Sequence, residues 1–181
     1  MIESRIETGR LILRPYGEDD RDAFAALNGD PRVGAWLAGT QDRAQSDAML
    51  DRINAHIAAH GFGLWGAETR ADRRLVGFIG LTTVEAGDLP VGPCIEMGWR
   101  LIPKVWGQGL ASEGAAAALA WAFVHIQVDE IVAFTAATNL ASRGVMRKIG
   151  MTHDPARDFD HPRLAQDHPL RRHVLYAATR R

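Results

Sequence analysis

Two periods of apolar residues divide the chain. The run RLILRPY, residues 10–16, alternates and ends at Pro15 as a first strand does. GEDDRDAFAAL after it opens on acids before an apolar stripe of Phe24 and Leu27, which predicts a helix. From Gln41 to Gly61 the apolar residues Met49, Ile53 and Ile57 stand four apart and the pattern stops at a glycine, the mark of an amphipathic helix with a glycine C-terminus. FGLWGAET and RLVGFIGLTTVE follow as two strands around the charged turn RADRR, which predicts an antiparallel hairpin. Cys94 to Ile102 reads as the next strand, Ser112 to Ile126 as a helix and Glu130 to Ala136 as a buried strand, together a β-α-β unit. A short helix then starts at Asn139, its N-cap, with Gly150 past its end, and HVLYAAT closes the chain as a last strand. Residues 153–172, rich in proline and charge, read as an ordered surface loop. The sum is an α+β domain with a mixed, mainly antiparallel central sheet flanked by helices.

Composition adds limits. The 181 residues, 46% hydrophobic and 24% charged, suit one domain, 1–181, with a sizeable core. A formal net charge of -1 gives no bulk attraction for nucleic acid or an anionic membrane, so neither is an expected partner. Cys94 is the only cysteine, which excludes an intrachain disulfide and a multi-cysteine zinc site and suits a reducing cytoplasm. It reads as a small core residue. Charges at Glu3, Arg5, Glu7 and Arg10 break the N-terminus where a secretory signal needs an apolar stretch, and no run is long enough to cross a bilayer. A cytoplasmic protein is expected.

The chemistry concentrates in PKVWGQGLASEG, residues 103–114, where glycines separate a strand from a helix. Glycines there let the backbone turn tightly and approach a ligand, while the first amides of a helix have no internal partner. The amides around Trp106 to Ala111 would converge with the positive end of the helix dipole into a socket for a phosphate or pyrophosphate. A Walker loop is excluded because Ala115 and Ala116 stand where Lys and Ser or Thr belong, and a dinucleotide fingerprint fails at Ser112. On spacing alone a socket and a plain turn remain equal readings.

IEMGWRLIPKVWGQGLASEGAAAALAWAF and VAFTAATNLASRGVMRKIGM resemble the GCN5-related N-acetyltransferases, in particular their subgroup that acetylates the N-terminal amines of ribosomal proteins. TGRLILRPYGEDD is similar to that subgroup's first strand and turn, so the likeness covers nearly the whole chain. The family's acyl-CoA signature is Arg or Gln, two residues, Gly, one residue, then Gly or Ala. Lys104, Gly107 and Gly109 stand in it here, departing at the first position but keeping a positive charge. A second motif matches at Asn139, Ser142, Met146, Lys148, Gly150 and Met151.

The resemblance implies direct transfer of an acetyl group from acetyl-CoA to an amine, with no metal. It places the amides of Met97 to Leu101, Trp99 and Leu101 among them, beside the thioester carbonyl, which they would polarise, and the pantetheine, which would add to the sheet like another strand. A bulge in this strand would expose those amides. Lys104, Trp106 and Gly107 would begin the pyrophosphate socket, Gln108, Gly109 and Leu110 continue it, and Ala111 and Ser112 close it at the helix start. Asn139 and Ser142 match positions that hold the pantetheine arm, and Ser142 one that orients or protonates the departing sulfur. Alternation puts Glu96, Gly98 and Arg100 on one face of the strand and Ile95, Met97, Trp99 and Leu101 on the other. In several relatives a glutamate at a similar place acts as general base through a water, so Glu96 is the first candidate, against a reading in which it pairs with Arg100 or Arg14. Many relatives use a tyrosine as general acid; Tyr16 and Tyr176 fall in predicted outer strands, which leaves Ser142 or water.

Other constellations are weaker. His56 and His60 stand one helical turn apart, but Ile57 occupies the glutamate place of HExxH and no third ligand is evident, so a solvated helix face is the better reading. Asp160-His161-Pro162 and Asp167-His168-Pro169 repeat in the tail, as a rigid flap beside the amine site or as ordinary loop packing. The tryptophans, Trp36 and Trp65 among them, read as core fillers that could instead line an acceptor groove. Two readings compete with the transferase: a catalytically silent acyl-CoA-binding or sensing module, and a nucleic-acid-binding protein, which would need a basic face. The acceptor, a primary amine of a peptide, a protein N-terminus or a small molecule, would be chosen by GDPRVGAWLAGTQD and the tail. An exposed final strand could pair two subunits as a homodimer.

Overall fold

The computed structural model describes residues 5–180, so Glu3 and the ends of the expected 1–181 domain lie outside the described residues. Alternating apolar runs form β1 (Ile6–Glu7), β2 (Leu11–Arg14), β3 (Leu64–Thr69), β4 (Leu75–Val84), β5 (Cys94–Leu101), β6 (Glu130–Ala136), β7 (Thr152–His153), β8 (Phe159–Asp160) and β9 (Arg172–Thr179). They build one sheet in the order β1-β2-β3-β4-β5-β6-β9-β7, with β8 also beside β9. Every pairing is antiparallel except β5 with β6.

Among the described residues five α-helices accompany the sheet: α1 (Arg21–Gly29), α2 (Pro31–Gly34), α3 (Arg43–His60), α4 (Leu110–His125) and α5 (Leu140–Lys148). Asp42 and Gln45 form a reciprocal capping box at the start of α3, and Gly61 ends it with φ of 74°. Asn139 caps α5 by accepting from the Ser142 amide at 3.1 Å. α4 is alanine-rich where it meets the sheet: Ala115, Ala118 and Ala122 are fully buried, and a side chain on Gly114 would collide with Ile79. Small residues therefore seat the N-terminus of α4 close against the strands, which fixes the glycine loop before it. On the opposite face α1 packs Phe24 against Tyr16 and Phe78.

Four expectations change. Residues 153–172 are not all loop, because β7 and β8 pair with β9, with Phe159 stacked on His173 and His153 on Tyr176. Two-residue pairings are too short to show a period. For the same reason β9 is not an outer strand: β6 covers one edge, β7 and β8 the other, so it offers no free edge to a second subunit. Tyr176 accordingly lies inside the sheet, while Tyr16 follows the end of β2 and is buried. Finally, β4 and β5 pair without a register shift from Gly77↔Leu101 to Val84↔Cys94, so no bulge frees the β5 amides.

Gly77 carries the junction between β4 and the end of β5. Its φ is 143°, and a Cβ there would run into the carbonyl oxygen of Arg100. Gly77→Ala is expected to lower the unfolding free energy by about 2–3 kcal/mol through backbone strain. Denaturant unfolding checks this: the midpoint should fall with its slope unchanged, and a wild-type midpoint would contradict the close approach.

Candidate active site

Along β4, β5 is paired over its whole length, yet it meets β6 only at Glu96↔Val132. Beyond that point the two parallel strands part. The β5 edge from Met97 to Leu101 therefore has no strand partner on its β6 side, and a cavity of about 700 Å³ opens between them. Unpaired backbone in such a fork can accept an extended ligand as an added strand. Splaying of the strands does what the sequence assigned to a bulge.

At one end of the cavity lies the glycine loop. Gly107 and Gly109 hold φ of 73° and 81°, conformations that L side chains rarely adopt, and Gly109 is the N-cap of α4. Gly107, Gly109, Leu110, Ala111 and Ser112 line the cavity, and so does Trp106, whose Nε1 donates to the Leu101 carbonyl at 2.7 Å. Lys104 and Gln108 do not line it. The Gln108 amide instead donates back to the Lys104 carbonyl at 3.0 Å, so these two shape the loop from behind.

Arg10, Thr8 and Glu113 brace the loop and were not singled out from sequence. Arg10 donates from Nη1 to the Gln108 carbonyl at 2.9 Å and from Nε to Glu113 Oε2 at 2.6 Å, while Thr8 Oγ1 donates to Glu113 Oε1 at 2.6 Å. Burial pushes the Glu113 carboxyl up, but the Thr8 and Arg10 hydrogen bonds outweigh it and hold the group below the usual range. Only the acid in the first turn of a helix hinted at this clamp.

Glu96 sits at the point of the fork and lines the cavity with Gly98 and Arg100 from the same face. Among the described residues it has no ion-pair partner: Arg14 is taken by Asp20 and Glu68 at 2.7 Å each, and Arg100 donates to Asn28 Oδ1 at 2.5 Å. The ion-pair reading of Glu96 falls with that. Burial pushes its carboxyl up to about 8. His161 and His173 line the cavity as well, their rings 5.0 Å apart, and burial holds both below the usual histidine range. Of the two Asp-His-Pro units only the first reaches the cavity. From GDPRVGAWLAGTQD, Val33, Trp36 and Leu37 form part of its wall, with Trp36 42% exposed, while Trp65 is fully buried.

Asn139 and Ser142 also line the cavity, across the fork from β5. Neither tyrosine does. Tyr176 accepts from Arg143 Nε at 3.4 Å beneath α5, and burial raises the Tyr16 hydroxyl well above its ordinary value. His56 and His60 face each other 4.4 Å apart, away from the glycine loop. No group of three or more His, Cys, Asp or Glu among the described residues could hold a metal ion, and none of their helices is long and apolar enough to cross a membrane.

A family model described as the acetyltransferase (GNAT) domain matches residues 10–152. The chain belongs to the GNAT acetyltransferase family, whose enzymes use acyl-CoA. This GNAT chain is 32% identical over 154 residues to the Aspergillus fumigatus protein named FsC-acetyl coenzyme A-N(2)-transacetylase, a match covering 82% of this chain and 65% of that relative's length. An acetyltransferase from Agrobacterium tumefaciens str. C58 is 25% identical, with a TM-score of 0.77 over 97% of this chain and 94% of its own. RimJ from Mycobacterium smegmatis, solved with CoA-disulfide, shares the fold at a TM-score of 0.76 and 21% identity, covering 98% of this chain and 88% of that one.

The GNAT cradle fits a CoA pyrophosphate on this structure's own terms: two left-handed glycines, the free first amides of a 16-residue helix and an open strand edge beside them. Gly109→Val tests it. A Cβ there meets only Arg10 Nη2 at 3.6 Å, so the penalty is conformational strain of about 1–2 kcal/mol plus a branched side chain against the arginine that braces the loop. Calorimetric titration with acetyl-CoA is expected to show no binding; wild-type affinity would refute the cradle.

Proposed function

We propose that this chain transfers the acetyl group of acetyl-CoA directly to a primary amine, with Glu96 as general base. The observation that carries the reading is the fork itself, which sets a glycine cradle, an unpaired strand edge and an unpartnered carboxylate around one cavity. Trp99 and Leu101 would offer backbone to the pantetheine, Gly107 to Ser112 would hold the pyrophosphate, and Asn139 and Ser142 would face the arm from α5. Bound acetyl-CoA supplies the activated acyl group.

Glu96 takes a proton from the incoming ammonium, directly or through a water, and its raised affinity for protons suits a base working near neutral pH. Ser142, which lines the cavity across the fork, would relay to the leaving sulfur a proton released by the attacking nitrogen, taking one up as it gives one. Cys94 plays no covalent part: burial, helped by Glu96 and Glu130, pushes its thiol up to about 11, so it stays protonated at neutral pH. This favours direct transfer over a covalent enzyme intermediate. A silent binding module is disfavoured because Glu96, Asn139 and Ser142 all open on the cavity. The A. fumigatus relative, named for acetyl-CoA and an N(2) nitrogen, supports an amine acceptor. The likeness to RimJ makes a protein or peptide α-amine one candidate. A cytoplasmic setting fits an enzyme that uses acetyl-CoA.

Two readouts test the base. A carboxyl raised to about 8 is protonated below that pH, so kcat/KM should climb as pH rises through about 8. Glu96→Gln should flatten that limb and lower kcat by about 10²-fold or more while acetyl-CoA affinity stays within about twofold. A folded-state carboxyl raised above its unfolded value favours folding fully only below about 4.5 and loses that contribution as pH climbs to about 8. Glu96→Gln should therefore also raise the Tm above pH 8. An unchanged pH profile would remove Glu96 from the role.

A further inference from the structure

Arg100 is the second charged group on the Glu96 face of β5, and the transfer step does not use it. Its guanidinium is held in place from two sides. Nη1 donates to Asn28 Oδ1 at 2.5 Å, Asn28 is fixed in turn by donating to Ser46 Oγ at 2.9 Å, and the guanidinium carbon lies 5.0 Å over the Phe78 ring. Asn28 and Ser46 are buried. No carboxylate of the described residues forms a salt bridge with Arg100, whereas Arg14, Arg21, Arg43 and Arg157 are each bridged to two or more acids. A guanidinium has five N–H donors, and the protein's side chains and carbonyls engage one of them here. A half-buried cation so positioned, neutralised by no carboxylate of the described residues and lining the cavity, is arranged to meet an anion from outside.

We infer that Arg100 anchors a carboxylate of the acceptor, so that the substrate class is an amine carrying a carboxylate some distance from the reacting nitrogen. The inference rests on the transferase reading for the place of the amine. Four residues of strand put the Glu96 and Arg100 Cα atoms roughly 13 Å apart, and side chains stand nearly perpendicular to a sheet, so much of that separation persists at their tips. Gly98 between them has no side chain to fill the intervening floor, and an added Cβ would reach only Leu64 at 3.4 Å. Amine and carboxylate must therefore be joined by several atoms, as in a short peptide or a long ω-amino acid. A single planar fork matches one carboxylate in charge and shape. Burial pushes the Arg100 group down to about 10, still leaving it charged at neutral pH.

The test uses the full chain saturated with CoA, which carries no acetyl group, and titrates 6-aminohexanoate against 6-aminohexanamide and triglycine against triglycinamide. Wild type is expected to bind each acid about tenfold or more tightly than its amide. Arg100→Gln should bring that ratio close to one, and Arg100→Lys should retain part of it. Equal binding of acid and amide by wild type, binding of neither, or tighter binding of 6-aminohexyl phosphate than of the acid overturns the inference. These comparisons need only the wild-type protein, so an Arg100 variant that fails to fold leaves them intact. Preferential binding of the acids without acetylation when acetyl-CoA replaces CoA would sink the transferase reading and leave the carboxylate anchor standing.

Discussion

The single bridge between β5 and β6 at Glu96↔Val132 is the constraint from which the rest of this molecule follows. Were the parallel pair zipped further, the β5 amides would be consumed by the sheet and the cavity would close. α4, the crossover between the two strands, rests its buried alanines on β4 and β5 and keeps its N-terminus at the mouth of the opening. Gly77 allows a backbone approach to Arg100 that a side chain would prevent, and Gly114 leaves room on α4 for the Ile79 and Leu11 side chains. The parted edge supplies donors and acceptors, the helix start supplies a dipole, and the two converge because the crossover is short and tightly packed.

What could be read from the chain was local. Periodicity located α3, α4, β5 and β6, the glycines marked a tight turn that could equally be a socket, and Asn139 marked its own helix start. Pairings between distant segments could not be read. The Arg10 to Glu113 clamp joins residues 103 apart, and nothing in either neighbourhood encodes the other beyond an acid in a helix's first turn. The placing of β9 between β6 and the short β7 and β8 depends on a chain reversal through residues 153–172, whose paired pieces are too brief to alternate visibly. That one error of topology carried three expectations with it: an outer Tyr176, a free final strand and a tail that is all surface loop.

The alternation along β5 was right, and of the two readings of Glu96 the ion pair is the one that falls. Opposite charges on one strand face left an ion pair of Glu96 with Arg100 open as a competing reading, but four residues of strand set their Cα atoms roughly 13 Å apart. Instead the structure keeps them apart across Gly98 and gives each a different fate: the carboxyl is buried without a cation, and the guanidinium is held by a neutral amide and an aromatic ring. Elsewhere the protein pairs its buried charges carefully, as with Arg14 between Asp20 and Glu68. A fold able to neutralise charges that leaves these two without an ion pair on one cavity has the pattern expected of a functional site.

The energetic sign supports the same view. A paired carboxylate such as Asp20, whose burial is outweighed by hydrogen bonds from Arg14 and Gly17, adds stability above the usual carboxylate range and loses it in acid. Glu96 behaves oppositely: its unrelieved burial favours the protonated state, so every rise in pH between its unfolded value and about 8 works against the folded form. A cation beside Glu96 would remove that penalty, and among the described residues none forms an ion pair with it. That the chain bears the penalty at the one residue bridging β5 to β6, where an amine and an acyl group would meet, is the physical reason to place the base there and not at any of the better-stabilised acids.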